Sequence, residues 1–187
     1  MLSVVLVITL VSFPVSLAYV GSADATSLPK ASTPCTTSQL SLGVGGQVSP
    51  GTGEHGLILT LTNKSAKYCQ LLGYPAVGLY TALGRVLPFT YDHGSQYFSH
   101  IVPHLVGLRP GTHGWFEVAK YRCDLGDLLT PSVIKVTVAP SAGASLTRLV
   151  PSSPGVGILA YCKGGVRDPG QLVGVTPIVA TLRQLWT

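Results

Sequence analysis

Charge is what this sequence has least of: 10% of its residues are charged against 46% hydrophobic, with only 7 acidic side chains. The carboxylates of the main body are Glu54, Asp92, Glu117, Asp124, Asp127 and Asp168, too few for a paired-carboxylate glycosidase to draw on. Methionine occurs once, and runs of Ala, Glu, Lys and Leu are missing, which argues against long helices. There is no C-x-x-C pair of the kind that anchors zinc ribbons. There is no G-x-S-x-G elbow either, and Gly43-Val44-Gly45-Gly46 precedes no helix that would cradle a phosphate. The net charge of +5 comes from lysines and arginines scattered along the chain. They form no local cluster, so no specific nucleic-acid partner is expected.

What is abundant is Val, Leu, Ile and Thr in short segments, with 22 glycines and 14 prolines falling between them. The chain is long enough for one domain. Strands are expected at 39–44, 56–62, 67–72, 76–80, 85–90, 101–108, 114–118, 133–139, 145–150, 157–161 and 172–179, with a polar loop over 91–99 and a turn near Asp124–Leu129. Turns at every junction predict an all-β fold, an immunoglobulin-like β-sandwich of short antiparallel strands. Asn63 and Ser65 suit a side-chain-capped turn, and Tyr74 suits a sheet edge with its hydroxyl on a backbone group.

The apolar, uncharged run Leu2–Ala18 reads as an export signal, with small residues at Ser16 and Ala18 and a second cleavage site at Ala23-Asp24-Ala25. No basic residue precedes it, which leaves an uncleaved anchor or a true start lying upstream as the rival readings. Residues 19–34 read as a flexible linker, 35–180 as the folded domain and 181–187 as a tail, with no membrane span left after cleavage. In an exported protein Cys35, Cys69, Cys123 and Cys162 read as two disulfides. Three pairings are open. Cys35–Cys69 with Cys123–Cys162 is favoured, because each closes a loop of moderate length.

Histidines crowd one region: His93, His100, His104 and His113, with His55 apart. His93, His100 and His104 are the candidate ligands of a metal site, with Asp92 nearby, although Pro103 argues against a helix that would align them. Solvated imidazoles on a polar loop are the simpler reading, and no cofactor is expected. Ser95 and Ser99 lie near His93 and His100, but nothing in the pattern organises them into a triad. Tyr91, Tyr97 and Phe98 are candidate binding residues on the same loop, whereas Trp115 sits in a strand and suits the core.

Three stretches carry a resemblance: LTNKSAKYCQLLGYPAVGLYTALGRVL (61–87), VGLRPGTHGWFEV (106–118) and the closing TPIVA. Together they are similar to domain of unknown function family 4232, common in secreted proteins and lipoproteins of high-GC Gram-positive bacteria. The resemblance implies an extracytoplasmic β-sandwich with paired cysteines and transfers no catalytic residue. This chain lacks the lipid-attachment cysteine of many such relatives. The expected function is therefore that of a non-catalytic, exported module in the cell envelope or outside it. It would bind a protein or cell-wall component through loops including 91–104, with a metal-binding protein using the 93–113 region as the alternative.

Overall fold

Short apolar segments broken by glycine and proline can bury themselves only by pairing with one another, and the pairings decide which residues become core. The computed structural model describes residues 33–51, 53–94, 101–139, 141, 143–151 and 158–186. The expected signal segment, Ser95, Tyr97, Phe98, Ser99 and His100 lie outside the described residues, as does most of the expected linker. In chain order the strands are β1 (Leu40–Gly51), β2 (Glu54–Asn63), β3 (Cys69–Leu71), β4 (Ala76–Tyr80), β5 (Thr90–His93) and β6 (Val106–Leu108). They continue with β7 (His113–Tyr121), β8 (Asp127–Leu129), β9 (Val133–Thr137), β10 (Leu146–Leu149), β11 (Tyr161–Cys162) and β12 (Leu172–Val175).

The chain folds as an immunoglobulin-like, all-β sandwich. One sheet has the order β1-β2-β7-β12-β5, and the other is built on β10-β9-β4, with the small pairs β3-β6 and β8-β11 at the margins. Alternation along β2 sends Leu57, Leu59 and Leu61 inward beside Phe116 and Val118 of β7, and Leu79, Ile134 and Val136 meet them from β4 and β9. Each fully buried leucine of this set contributes about 2 kcal/mol. The outer face of the larger sheet is also covered. There Ile58, Val179 and Leu185 are buried, with Val48, Ile101 and Trp115 packed against them.

Several expectations need correction, among them the strand expected over 85–90, of which only a Tyr80↔Val86 bridge and Thr90 of β5 remain. Strand β5 falls in the segment read as a loop, and all four of its residues are exposed. It exists because it pairs in parallel with β12, from Leu172↔Thr90 to Val175↔His93, so the sheet is not purely antiparallel. The strand expected over 101–108 shrinks to Val106–Leu108, where β3 supplies its partner. The tail expected at 181–187 is part of the fold, since a 3-10 turn over Leu182–Leu185 buries Leu185 to 1% exposure. At the other end, Thr33 and Pro34 belong to the domain and not to a linker. Thr33 accepts the Gln70 amide at 3.1 Å and Cys35 donates back to Gln70 at 2.8 Å.

Both disulfides follow the sequential pairing, Cys35–Cys69 and Cys123–Cys162. The Asn63 turn is a polar hub inside the core. Asn63 Nδ2 donates to Lys67 O at 2.7 Å and Leu108 O at 3.0 Å, while Oδ1 accepts from Ser65 N and Oγ at 3.0 and 2.8 Å. Asn63 is 0% exposed, so no water can replace these bonds. Asn63→Ala is therefore expected to destabilise the domain by about 3 kcal/mol, read as a lower denaturant midpoint with an unchanged slope. A loss below about 1 kcal/mol would show that the hub does not hold the turn.

Candidate functional site

At one end of the larger sheet the β3–β6 pair, the turn into β7 and the chain after β12 come together. Cys69↔Leu108 and Leu71↔Val106 fix β3 against β6, and the Trp115↔Val179 bridge brings Ala180 alongside. Between them lies an open cavity of about 330 Å³, lined by Tyr68, Val106, Gly107, Arg109, Thr112, His113 and Ala180. Its shape has local causes. A Cβ at position 107 would collide with the Tyr68 hydroxyl, so glycine is what lets the Tyr68 ring lie across β6. Gln70 Nε2 donates to Tyr68 Oη at 2.9 Å and steadies the ring. The Arg109-Pro110-Gly111-Thr112 turn closes through Thr112 N and Oγ1, both donating to Arg109 O at 3.0 and 2.9 Å. Gly111 takes the left-handed conformation (φ 78°) that the turn requires.

Each polar group in this cavity has a different status. Thr112 is committed to the turn. His113 sets its ring edge-on to Trp115, with centroids 4.7 Å apart, and that contact fixes its direction. The Arg109 guanidinium makes no hydrogen bond or ion pair among the described residues, and Arg109 is exposed. A guanidinium beside an imidazole and a phenol is a donor set for an anion.

The residues singled out from sequence fare differently. Tyr91 is on β5, but its hydroxyl accepts the Leu79 amide at 3.1 Å, and burial pushes its pKa up to about 12. It joins the two sheets more than it offers a free contact. Asp92 Oδ1 accepts the His93 amide at 2.7 Å, so Asp92 caps the exposed edge of the sheet. The His93 ring stacks on Tyr74 at 4.0 Å and 5°, and the Tyr74 hydroxyl reaches Ile101 O at 3.4 Å. His104 is exposed between β5 and β6, and His113 lines the cavity. His55 faces Lys120 across the β2–β7 ladder. Among the described residues no three His, Cys, Asp or Glu side chains gather closely enough to hold a metal ion.

Sequence reasoning missed the buried ionisable groups. Glu54 and Glu117 are each 1% exposed on the outer face of the larger sheet, about Gly56. A Cβ on Gly56 would strike Glu117 Oε1, so the glycine makes room for that carboxyl. Burial first, and the neighbouring Glu54 second, push the Glu117 pKa up to about 8. Groups so enclosed are out of reach of any substrate. At the far edge Lys120 is 2% exposed, and its Nζ donates to Tyr121 O and lies 3.7 Å from Cys123 Sγ. Burial lowers its pKa to about 8 against the opposing pull of Asp127 and Asp168. Asp168, and not Asp124 or Asp127, caps the turn after Cys123. Its Oδ2 accepts from Asp124 N and Leu125 N at 3.0 and 3.4 Å, and Oδ1 accepts from Gly170 N at 2.9 Å. The one sequence signal for these groups is a charged residue inside an otherwise apolar strand.

Two facing sheets, two disulfides and a shallow cavity at a sheet end define a small β module. The chain belongs to the family described as Domain of unknown function (DUF4232), whose family model matches residues 35–177. Six of the seven cavity residues fall inside that span, with Ala180 just beyond it. Neither a curated protein nor a solved structure matches the chain.

Proposed function

We propose that the protein is an exported, extracytoplasmic binding module without catalytic activity, which holds a protein or cell-wall component of the envelope. The observation that carries this reading is the Arg109 guanidinium, which makes no hydrogen bond or ion pair among the described residues and lines a cavity at a sheet end. Two disulfides suit an oxidising compartment, and no helix among the described residues is long and apolar enough to cross a membrane. Buried polar side chains elsewhere serve the backbone: Asn63 holds two carbonyls, Asp168 three amides, and Thr176 Oγ1 the Glu117 amide at 2.8 Å.

The contact surface in this reading is the 106–113 end, in place of the 91–104 loops expected from sequence. Purified exported protein, mixed with separated cell-wall and membrane fractions, is expected to sediment saturably with one of them and to leave its composition unchanged. Failure to sediment with either fraction, or protein-dependent release of soluble fragments, would overturn the proposal.

A further inference from the structure

We propose that the cavity at the 106–113 end is a site for a small organic anion, a carboxylate or phosphate monoester carried on a flat apolar body. The proposal deepens the binding reading above and rests on it. Arg109 supplies the charge. Its planar fork matches the two oxygens of a carboxylate or phosphate, and its donors are not taken by any described residue. His113 offers a second donor, on a ring fixed edge-on against Trp115. The apolar part has its own place. The Tyr68 ring, held across Gly107 and bonded by Gln70, forms one wall, and Val106 with Ala180 completes the lining. At about 330 Å³ the space lies at the small end of ligand sites, which run from about 300 to 1,000 Å³. It admits one ring and one anionic group.

Segments distant in sequence meet here: Tyr68, Val106 to His113, and Ala180. Lys135 lines another open cavity, of about 340 Å³, but its ammonium is held over the Tyr80 ring at 4.2 Å. Arg148 lines a third beside Val44, Leu149 and Pro151, with no histidine or tyrosine to join it.

The test uses amide chemical shifts of the exported protein titrated with benzoate, phenyl phosphate, benzamide and inorganic phosphate. Benzoate and phenyl phosphate are expected to move the amides of Tyr68, Gly107, Arg109 and Thr112–Gly114 saturably. Neutral benzamide should leave them in place, and inorganic phosphate should bind more weakly than phenyl phosphate. Arg109→Gln is expected to weaken benzoate at least tenfold. Gly107→Ala leaves every charge in place and requires only that the end of Tyr68 shift, so the variant folds and loses the preference for phenyl phosphate over inorganic phosphate. Shifts spread over lysines and arginines across the surface, or an Arg109→Gln variant that binds benzoate unchanged, would overturn the anion site. Envelope sedimentation that persists in Arg109→Gln overturns the anion site as the envelope contact while leaving the binding-module reading intact. Benzoate binding without envelope sedimentation does the reverse.

Discussion

Stability of the domain is expected to fall as pH rises from about 5 to 8, and Glu117→Gln should abolish that fall. Glu117 keeps its proton in the folded state up to about pH 8, whereas in the unfolded chain it loses the proton near 4.5. Between those values the folded state binds the extra proton, so stability declines as the proton becomes scarce. Above pH 8 the buried carboxylate is ionised in both states, and its confinement costs on the order of 5 kcal/mol. Glutamine in the same space carries no charge and can donate toward Glu54, so the variant should be more stable than the parent at pH 9 by roughly 3 to 5 kcal/mol.

Lys120 works in the opposite direction over a higher range. Its folded pKa is about 8 against an ordinary 10.5, so confinement of the ammonium penalises the fold below pH 8 and is relieved between 8 and 10.5. The two groups together predict a stability minimum near pH 8. Lys120→Met should flatten the alkaline limb, as Glu117→Gln flattens the neutral one. His55, lowered from 6.5 by burial first and Lys120 second, tilts the curve upward with pH only below 6.5. Denaturant midpoints across pH 5 to 10 for the parent and both variants check the prediction. A parent curve that is flat or rising between pH 6.5 and 8 would sink it.

These groups also show where a linear reading stops. Leu57, Leu59 and Leu61 recur at every second position of a short apolar run bounded by turn residues and announce a strand, and the cysteines announce staples, so the sandwich and its pairing are readable from residue order. β5 is not readable. Thr90, Tyr91, Asp92 and His93 show no buried side, and their strand geometry comes from backbone pairing with β12, distant in sequence. The cap on the turn after Cys123 is similar. Asp124 and Asp127 lie closest along the chain, yet Asp168 reaches the free amides because β11 and the Cys123–Cys162 bond carry it there. The cavity was half legible. Arg109-Pro110-Gly111 marks a turn, but nothing in residue order puts Tyr68 and Ala180 against it.

Replacing Cys35 and Cys69 together by alanine should bring the domain close to unfolding, with a larger loss than replacement of Cys123 and Cys162. The loops closed span 34 and 39 residues, so on chain entropy alone each disulfide contributes about 4 kcal/mol, a large part of the 5–15 kcal/mol typical of a domain. Packing separates the two. Cys35 and Cys69 are both 0% exposed inside the main core, and their bond is what pins Thr33–Cys35 to β3 beyond two backbone contacts. Their loss leaves a void in the core and frees that edge. The Cys123 end has other ties: Asp168 on two amides, and Lys163 N donating to Gly126 O at 3.0 Å. Cys123 is itself half-buried, with the Lys120 amine 3.7 Å from its sulfur. A dithiol can reach that sulfur, forming a mixed disulfide on Cys123 and releasing Cys162 as the thiolate. Under limited reduction followed by alkylation, mass spectrometry should find Cys123 and Cys162 labelled before Cys35 and Cys69. Labelling of Cys35 and Cys69 first would mean that core burial does not protect that bond.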